Sequence, residues 1–144
     1  MVVVGVGSEM RGDDAAGVEV VRGLRGALRS PNVLLIEGGV APENFTLQMR
    51  RFRPSHIIFI DAADFGAGPG DVVLAEPDAI TGHSISTHTI PLSILARYLQ
   101  GEMKAKVALL GIQPARAHMS AGMSKAVKDS IRRVKEMLVR ELHF

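Results

Sequence analysis

Five short apolar runs alternate with stretches of helical periodicity, and this alternation limits the folds that the chain can adopt. The runs are rich in valine, isoleucine and leucine and cover residues 2–6, 33–36, 56–60, 72–75 and 107–112. Short β-branched runs of this kind indicate strands that are buried on both faces of a sheet. Strands that alternate with helices predict a mostly parallel sheet covered by helices on both faces.

Helical periodicity predicts four helices. The first begins near Asp13 or Asp14, because aspartate is favoured as an N-cap, and the second near Pro42. Pro91 suits the first turn of the third helix, and the fourth begins near Ser124. Each helix carries an apolar face: Val18, Val21, Leu24 and Leu28; Phe45, Met49 and Phe52; Leu92, Leu95 and Leu99; Val127, Ile131, Val134, Leu138 and Leu142. Residues 76–87 lack a clear period and predict a loop.

The fourth strand is the exception to the parallel pattern. Only about ten residues, rich in glycine, separate Asp61 from the run at 72–75. A parallel crossover needs a dozen or more residues, so this strand is predicted to run antiparallel to the third, at a sheet edge. We therefore predict an α/β fold in which residues 1–144 form one domain. It is a three-layer sandwich whose twisted, mostly parallel five-stranded sheet has one antiparallel edge strand.

The composition excludes several classes of function. The chain has no cysteine, which rules out disulfides, thiolate metal sites and cysteine catalysis. A net charge of +2 is too small to argue for nucleic acid binding. No apolar run approaches the ~20 residues that cross a bilayer, and the residues after Met1 do not follow the pattern of a signal peptide. We expect a cytoplasmic protein that neither inserts into a membrane nor binds nucleic acid.

Acidic residues follow three of the predicted strands. Asp14 comes after the first, Glu37 ends the second and Asp61 ends the third. In parallel sheets, ligands bind beyond the carboxyl ends of the strands, and His88 is expected near the same place. Two carboxylates and an imidazole suit a divalent first-row metal with open coordination positions. Structural roles remain open, since Asp13 or Asp14 can cap a helix, Asp61 can accept from loop amides, and His88 can cap or pack.

Other catalytic and binding patterns fit poorly. Gly5 and Gly7 follow a strand as in a dinucleotide fingerprint, but Met10 occupies the place of the third glycine. The nearby acids would also repel a pyrophosphate, so a packing turn is favoured. The chain lacks the G-x-S-x-G pattern of serine hydrolases and the H-E-x-x-H pattern of zinc proteases. Mixed charge on the last helix indicates a face exposed to solvent. Phe65, in the glycine-rich stretch after Asp61, has two possible roles: an exposed anchor for a partner, or a side chain packed beneath its own loop.

Five segments together resemble the nickel-iron hydrogenase maturation endopeptidases, most closely the type that processes the large subunit of hydrogenase 3. They run in family order across nearly the whole chain: GVGSEMRGDDAAG, EGGVAPENF, RPSHIIFIDAADFGAGPGDV, STHTIPLSILARYL and LLGIQP. The resemblance implies a twisted sheet between helices. It also implies an endopeptidase that removes a short C-terminal peptide from the hydrogenase large-subunit precursor after nickel insertion.

The resemblance implies roles for three residues and leaves the cleavage chemistry open. Asp14, Asp61 and His88 match the family positions implicated in recognising nickel, which the precursor supplies. Asp13 is then expected to cap the first helix. Ser8 stands where members often have asparagine and Ala15 where they often have glycine, so the loop shape can differ. We expect a monomer. Two alternatives stay open, a non-enzymatic nickel-binding assembly factor for hydrogenase and a nucleotide-binding regulatory domain.

Overall fold

The computed structural model describes residues 1–80, 85–87, 92–115 and 122–142. These residues form one five-stranded sheet, in the spatial order β2-β1-β3-β5-β4. The strands are β1 (Val2–Val6), β2 (Leu34–Gly39), β3 (His56–Ala62), β4 (Val72–Ala75) and β5 (Lys106–Ile112). Strands β1, β2, β3 and β5 are parallel, whereas β4 pairs antiparallel with β5 at one edge. The predicted α/β fold and its antiparallel edge strand are confirmed, with β5 lying between β3 and β4.

Helices cover both faces of the sheet and complete three layers. They are α1 (Ala16–Ala27), α2 (Thr46–Phe52), α3 (Pro77–Ile80), α4 (Leu92–Met103) and α5 (Lys125–Glu141). The core divides into two clusters because successive strand side chains point to opposite faces. Val2, Val4 and Val6 pack in the cluster that contains residues of α2 and α4. Val3 packs in the other cluster, with apolar residues of α1 and α5.

Local details differ from the sequence predictions at several points. The helix α1 begins at Ala16, after a 3-10 turn that spans Gly12–Ala15. Strand β3 continues through Asp61 to Ala62, one pair of residues further than predicted. The segment predicted as a loop after β4 contains α3, which has four residues and is too short for apolar periodicity to reveal. Pro91 lies outside the described residues.

Candidate functional site

The start of α1 lies in direct contact with the ends of β1 and β3, and glycine makes this approach possible. A Cβ atom added to Gly17 would lie 1.9 Å from the carbonyl oxygen of Ile60 and 2.5 Å from that of Val6. A Cβ atom on Gly7, whose φ is +132°, would lie 1.8 Å from the carbonyl oxygen of Asp14. Heavier side chains at these positions would push the helix away from the sheet. The glycines therefore set where the Asp13–Asp14 pair lies.

The Gly5–Gly7 turn serves packing, as the sequence predicted. A Cβ atom on Gly5 would lie 2.4 Å from the carbonyl oxygen of Gly17. The backbone N–H of Gly7 donates to the carbonyl of Gly39 at 2.8 Å. A phosphate site at such a turn needs backbone N–H groups directed at the ligand. Here one N–H is already used and the turn faces a carbonyl oxygen, so the geometry disfavours the nucleotide alternative.

Asp14 and Asp61 both lie at the carboxyl end of the sheet, where the four parallel strands end. Asp14 belongs to the 3-10 turn after β1, which contacts β3, and its side chain is buried, with 5% exposure. Asp61 is the penultimate residue of β3 and is 3% exposed. Strand alternation places Asp61 on the face of Phe59, which packs in the cluster of α2 and α4. The structure thus brings the segments of both predicted acids together.

His88, the third predicted site residue, lies outside the described residues. Among the described residues, no group of three or more histidine, cysteine, aspartate or glutamate side chains could hold a metal ion. The combination of Asp14, Asp61 and His88 is therefore still a prediction. Three further histidines also lie outside the described residues: His83, His118 and His143. His56 is the first residue of β3, and its Nδ1 atom lies 2.9 Å from the Ser55 hydroxyl.

The prediction that Asp13 caps the first helix is wrong. Ala15 occupies the N-cap position of α1, and no side chain caps either the 3-10 turn or the helix there. The Asp13 carboxylate, which is 1% exposed, instead accepts hydrogen bonds from the backbone N–H of Ala115 at 2.8 Å and of Ser124 at 2.7 Å. It also accepts from the Ser124 hydroxyl at 2.9 Å. The Asp13 carboxylate thus accepts from N–H groups far along the chain and not from those at the start of α1.

Gln113, which the sequence analysis did not single out, organises the loop after β3. Its side-chain oxygen accepts from the backbone N–H groups of Phe65 at 2.9 Å and Ala67 at 3.2 Å. Its side-chain nitrogen donates to Asp64 at 3.1 Å, and Asp64 exchanges two backbone hydrogen bonds with Ser86. Phe65 is half-buried against the core, which favours the second of its two predicted roles. The one sequence signal for Gln113 is its place in the segment LLGIQP.

Glu37 is held by two arginines of α1. Arg22 donates to it at 2.9 Å and Arg25 at 3.0 Å, and Arg22 also bonds to Glu9 in the loop after β1. The hydrogen bond from Arg22, and then that from Arg25, hold the pKa of Glu37 below its usual value. These partly exposed ion pairs join the β1 loop, α1 and the end of β2. The Glu37 carboxylate therefore has a structural role, in ion pairs with two arginines of α1.

The lowered pKa of Glu37 predicts a small, acid-sensitive contribution to stability. A carboxylate whose pKa falls on folding stabilises the fold above its unfolded pKa of about 4.3, and the effect disappears as the pH drops through the folded value. Glu37→Gln should therefore lower the melting temperature slightly at pH 6, and the difference from the wild type should close towards pH 3. Thermal scans across that range test this, and a difference that stays constant with pH would contradict it.

Two surface depressions lie away from the acids. One is lined by residues that include Met1 and His56, at the amino ends of β1 and β3. The other includes Lys104 and Lys106, where the chain enters β5. Both lie towards the end of the sheet opposite Asp14 and Asp61, so neither forms part of the candidate site. No helix within the described ranges is long and apolar enough to cross a membrane.

Comparisons with known proteins identify the family to which the chain is similar. A family model described as hydrogenase maturation protease matches residues 18–141, a range that contains Asp61 and His88 and begins just after Asp14. A putative hydrogenase maturation protease of Methanocaldococcus jannaschii is 38% identical over 121 residues, which cover 79% of this chain and 72% of that protein. The hydrogenase 3 maturation protease of Escherichia coli K12 is 34% identical over 138 residues, covering 95% and 87%.

Two solved structures extend the likeness to three dimensions. The [NiFe] hydrogenase maturation protease HycI from Thermococcus kodakarensis is 32% identical and superposes with a TM-score of 0.92. The match covers 99% of this chain and 92% of that one. An endopeptidase HycI from Escherichia coli is 30% identical, with a TM-score of 0.83 over 96% of this chain and 88% of that one. The chain thus belongs to the hydrogenase maturation protease family and is an endopeptidase, as its motifs predicted.

Proposed function

We propose that this endopeptidase removes the C-terminal extension of a nickel-iron hydrogenase large-subunit precursor after nickel has been inserted. Asp14, Asp61 and His88 recognise the nickel that the precursor carries, so the metal arrives as part of the substrate. Family membership and the relatives named as hydrogenase 3 maturation proteases support the substrate class. The placement of Asp14 and Asp61 at one end of the sheet supports the recognition site.

The juxtaposition of the two acid-bearing segments is the observation that carries this proposal. Asp14 and Asp61 come from different segments, and close backbone contacts at Gly17 hold the start of α1 against β3. Both side chains are buried, where the effective dielectric constant is lower than in water. A cation brought to this place is attracted more strongly than at an exposed pair of acids. Carboxylate oxygens and an imidazole also suit a divalent first-row metal.

The chain path supports the inclusion of His88. Only Lys104 and Ala105 separate the end of α4 from β5, so α4 ends at the amino end of the sheet and begins near its carboxyl end. His88 stands four positions before Leu92, the first residue of α4. On the other side, Ser86 is paired with Asp64, three positions after Asp61. The sequence around His88 is therefore bracketed by residues at the same end of the sheet as the acids.

These residues offer two ways to assist hydrolysis. Water must add to the carbonyl carbon of the scissile peptide bond, and the leaving amine must gain a proton when the C–N bond breaks. A carboxylate of Asp14 or Asp61 can accept the proton of the attacking water as a general base. Alternatively, the metal held by the precursor can polarise the carbonyl or activate the water while the acids orient it. Both routes place the same two acids next to the scissile bond.

A processing assay tests the proposed function against the assembly-factor alternative. Purified protein is incubated with a nickel-loaded precursor, and mass spectrometry follows the mass of the large subunit and the appearance of a free C-terminal peptide. We expect both a shortened subunit and the matching peptide, whereas the precursor alone stays intact. Stable binding without any shortening would contradict the proposal and support a non-enzymatic nickel-binding assembly factor. Because the family members are named as proteases, cleavage is the favoured result.

A monomeric state and a cytoplasmic location complete the proposal. Light scattering coupled to size-exclusion chromatography should give a mass near 15.4 kDa, the mass of one chain. A mass near twice that value at micromolar concentration would contradict the monomer. Fractionation of the source cells, with detection of the protein by antibody, tests the location.

A further inference from the structure

Asp13 is a buried acid next to Asp14 that the proposed recognition site does not use. Its side chain is 1% exposed, and both of its oxygens are engaged. One oxygen accepts from the backbone N–H of Ser124 at 2.7 Å. The other accepts from the backbone N–H of Ala115 at 2.8 Å and from the Ser124 hydroxyl at 2.9 Å. The partners are 102 and 111 positions away in the sequence, so these bonds join distant parts of the fold.

The hydrogen-bond pattern requires a carboxylate at this position. All three partner groups are donors, and an ionised carboxylate is the side chain that offers only acceptors on both of its terminal atoms. An asparagine has the same shape, but its amide nitrogen would face one of these donors. At least one of the three hydrogen bonds would then be lost, and two donor groups would be in close contact. Leaving a buried polar group without a partner is costly, so the turn would have to shift.

Asp14 belongs to the same 3-10 turn as Asp13, and the contacts of Asp13 fix one side of this turn. Ala115 follows β5, and Ser124 caps α5 by accepting from the backbone N–H of Val127. The other side of the turn is fixed by Gly7, which lies directly against the Asp14 carbonyl. Asp14 is therefore held between the contact with Gly7, just after β1, and the carboxylate clamp from Asp13 to the chain around β5 and α5.

We propose that Asp13 is a positioning residue for the nickel-dependent cleavage reaction. Its carboxylate clamps the 3-10 turn to Ala115 and Ser124 and so fixes the Asp14 carboxylate where the precursor's metal is recognised. This inference rests on the proposed function of Asp14. A displacement of about 1 Å in a group that contacts the substrate can lower a rate by about a hundredfold, so a shifted turn should impair recognition even in a folded protein.

The test compares Asp13→Asn with a variant that is destabilised elsewhere. Leu138→Ala truncates a buried leucine of α5 and serves as the control for stability. All proteins are assayed well below their melting temperatures, with the folded concentration set by circular dichroism. Two quantities are measured. Surface plasmon resonance gives the Kd for a nickel-loaded precursor, and mass spectrometry gives kcat/KM for its shortening. We expect Asp13→Asn to weaken binding and lower kcat/KM by about tenfold or more, and Leu138→Ala to leave both within about twofold.

A second variant keeps the inference testable if Asp13→Asn does not fold. Ser124→Ala removes the hydroxyl that donates to Asp13 and caps α5, but it leaves the two hydrogen bonds from backbone N–H groups. In the folded protein we expect an intermediate loss of about three- to tenfold in affinity and kcat/KM. Folded Asp13→Asn or Ser124→Ala protein with wild-type Kd and kcat/KM would overturn the positioning role. A wild-type protein that neither binds nor shortens the nickel-loaded precursor would instead contradict the proposed function, so the two failures can be distinguished.

Discussion

Asp61→Asn will lower the rate at which a nickel-loaded hydrogenase precursor is shortened by at least about a hundredfold, and Asp14→Asn will do the same. A loss of this size corresponds to about 2.7 kcal/mol of transition-state stabilisation. It is expected because each substitution removes a negative charge at the place where the metal is recognised, and because removing a general base costs about 10²–10⁴-fold. Asparagine has the shape of aspartate, so packing around these buried positions is largely retained.

The control for these variants is Glu9→Gln. Glu9, like Asp14, lies in the segment between β1 and α1, but its side chain is exposed and pairs with Arg22. The same carboxylate-to-amide change there should leave processing within about twofold, since exposed ion pairs contribute little. Processing is followed by mass spectrometry of the large subunit under conditions where each variant is folded. His88→Ala should resemble the aspartate variants. Full activity in all three variants would remove Asp14, Asp61 and His88 from the site.

Gly17→Ala will destabilise the fold by about 3 kcal/mol or more, the upper range for forcing extra atoms into a packed core. The new Cβ atom would lie 1.9 Å from the Ile60 carbonyl oxygen and 2.5 Å from that of Val6. Both obstacles are backbone atoms of the sheet, so they cannot rotate away as a flexible side chain can. The start of α1 must therefore move outward, and Asp14 moves with it. Processing should fall even at temperatures where the variant remains folded.

Gly26→Ala is the matched control for Gly17→Ala. Gly26 lies in the same helix, and a Cβ atom there would meet nothing within 4 Å. Alanine is a better helix former than glycine, so this variant should be stabilised by about 0.5 kcal/mol. Urea unfolding of both variants measures the difference in the free energy of unfolding. Equal stabilities for the two variants would contradict the close contact between α1 and β3.

The parts of the fold that depend on local pattern were predictable from the sequence. The runs of β-branched residues and the spacing of apolar residues set the order of strands and helices, and the short connection after Asp61 fixed the direction of β4. The placement of Asp14 and Asp61 at the carboxyl end of the sheet followed as well, because parallel strands end on the same side of a sheet. The helix α3 was not predicted because its four residues are too few to show the apolar periodicity of a helix.

The role of Asp13 could not be predicted from its neighbours. Aspartate is a good N-cap and an equally good acceptor for remote amides, and local preference does not distinguish the two. Its partners, Ala115 and Ser124, meet it only after the chain has folded. The same holds for Gln113, whose amide bonds to the loop after β3, and for Gly17, whose contact with Ile60 depends on the packing of α1. These contacts join residues that lie far apart in the sequence.

The rate of cleavage as a function of the precursor's nickel content tests the central claim most directly. Wild-type protein is mixed with nickel-loaded and with nickel-free precursor at equal concentration, and release of the C-terminal peptide is followed by mass spectrometry. Recognition of the metal through Asp14, Asp61 and His88 predicts release from the nickel-loaded precursor at least about a hundred times faster than from the nickel-free one, the effect expected when a required contact is absent. Equal rates of release from the two precursors would contradict the account.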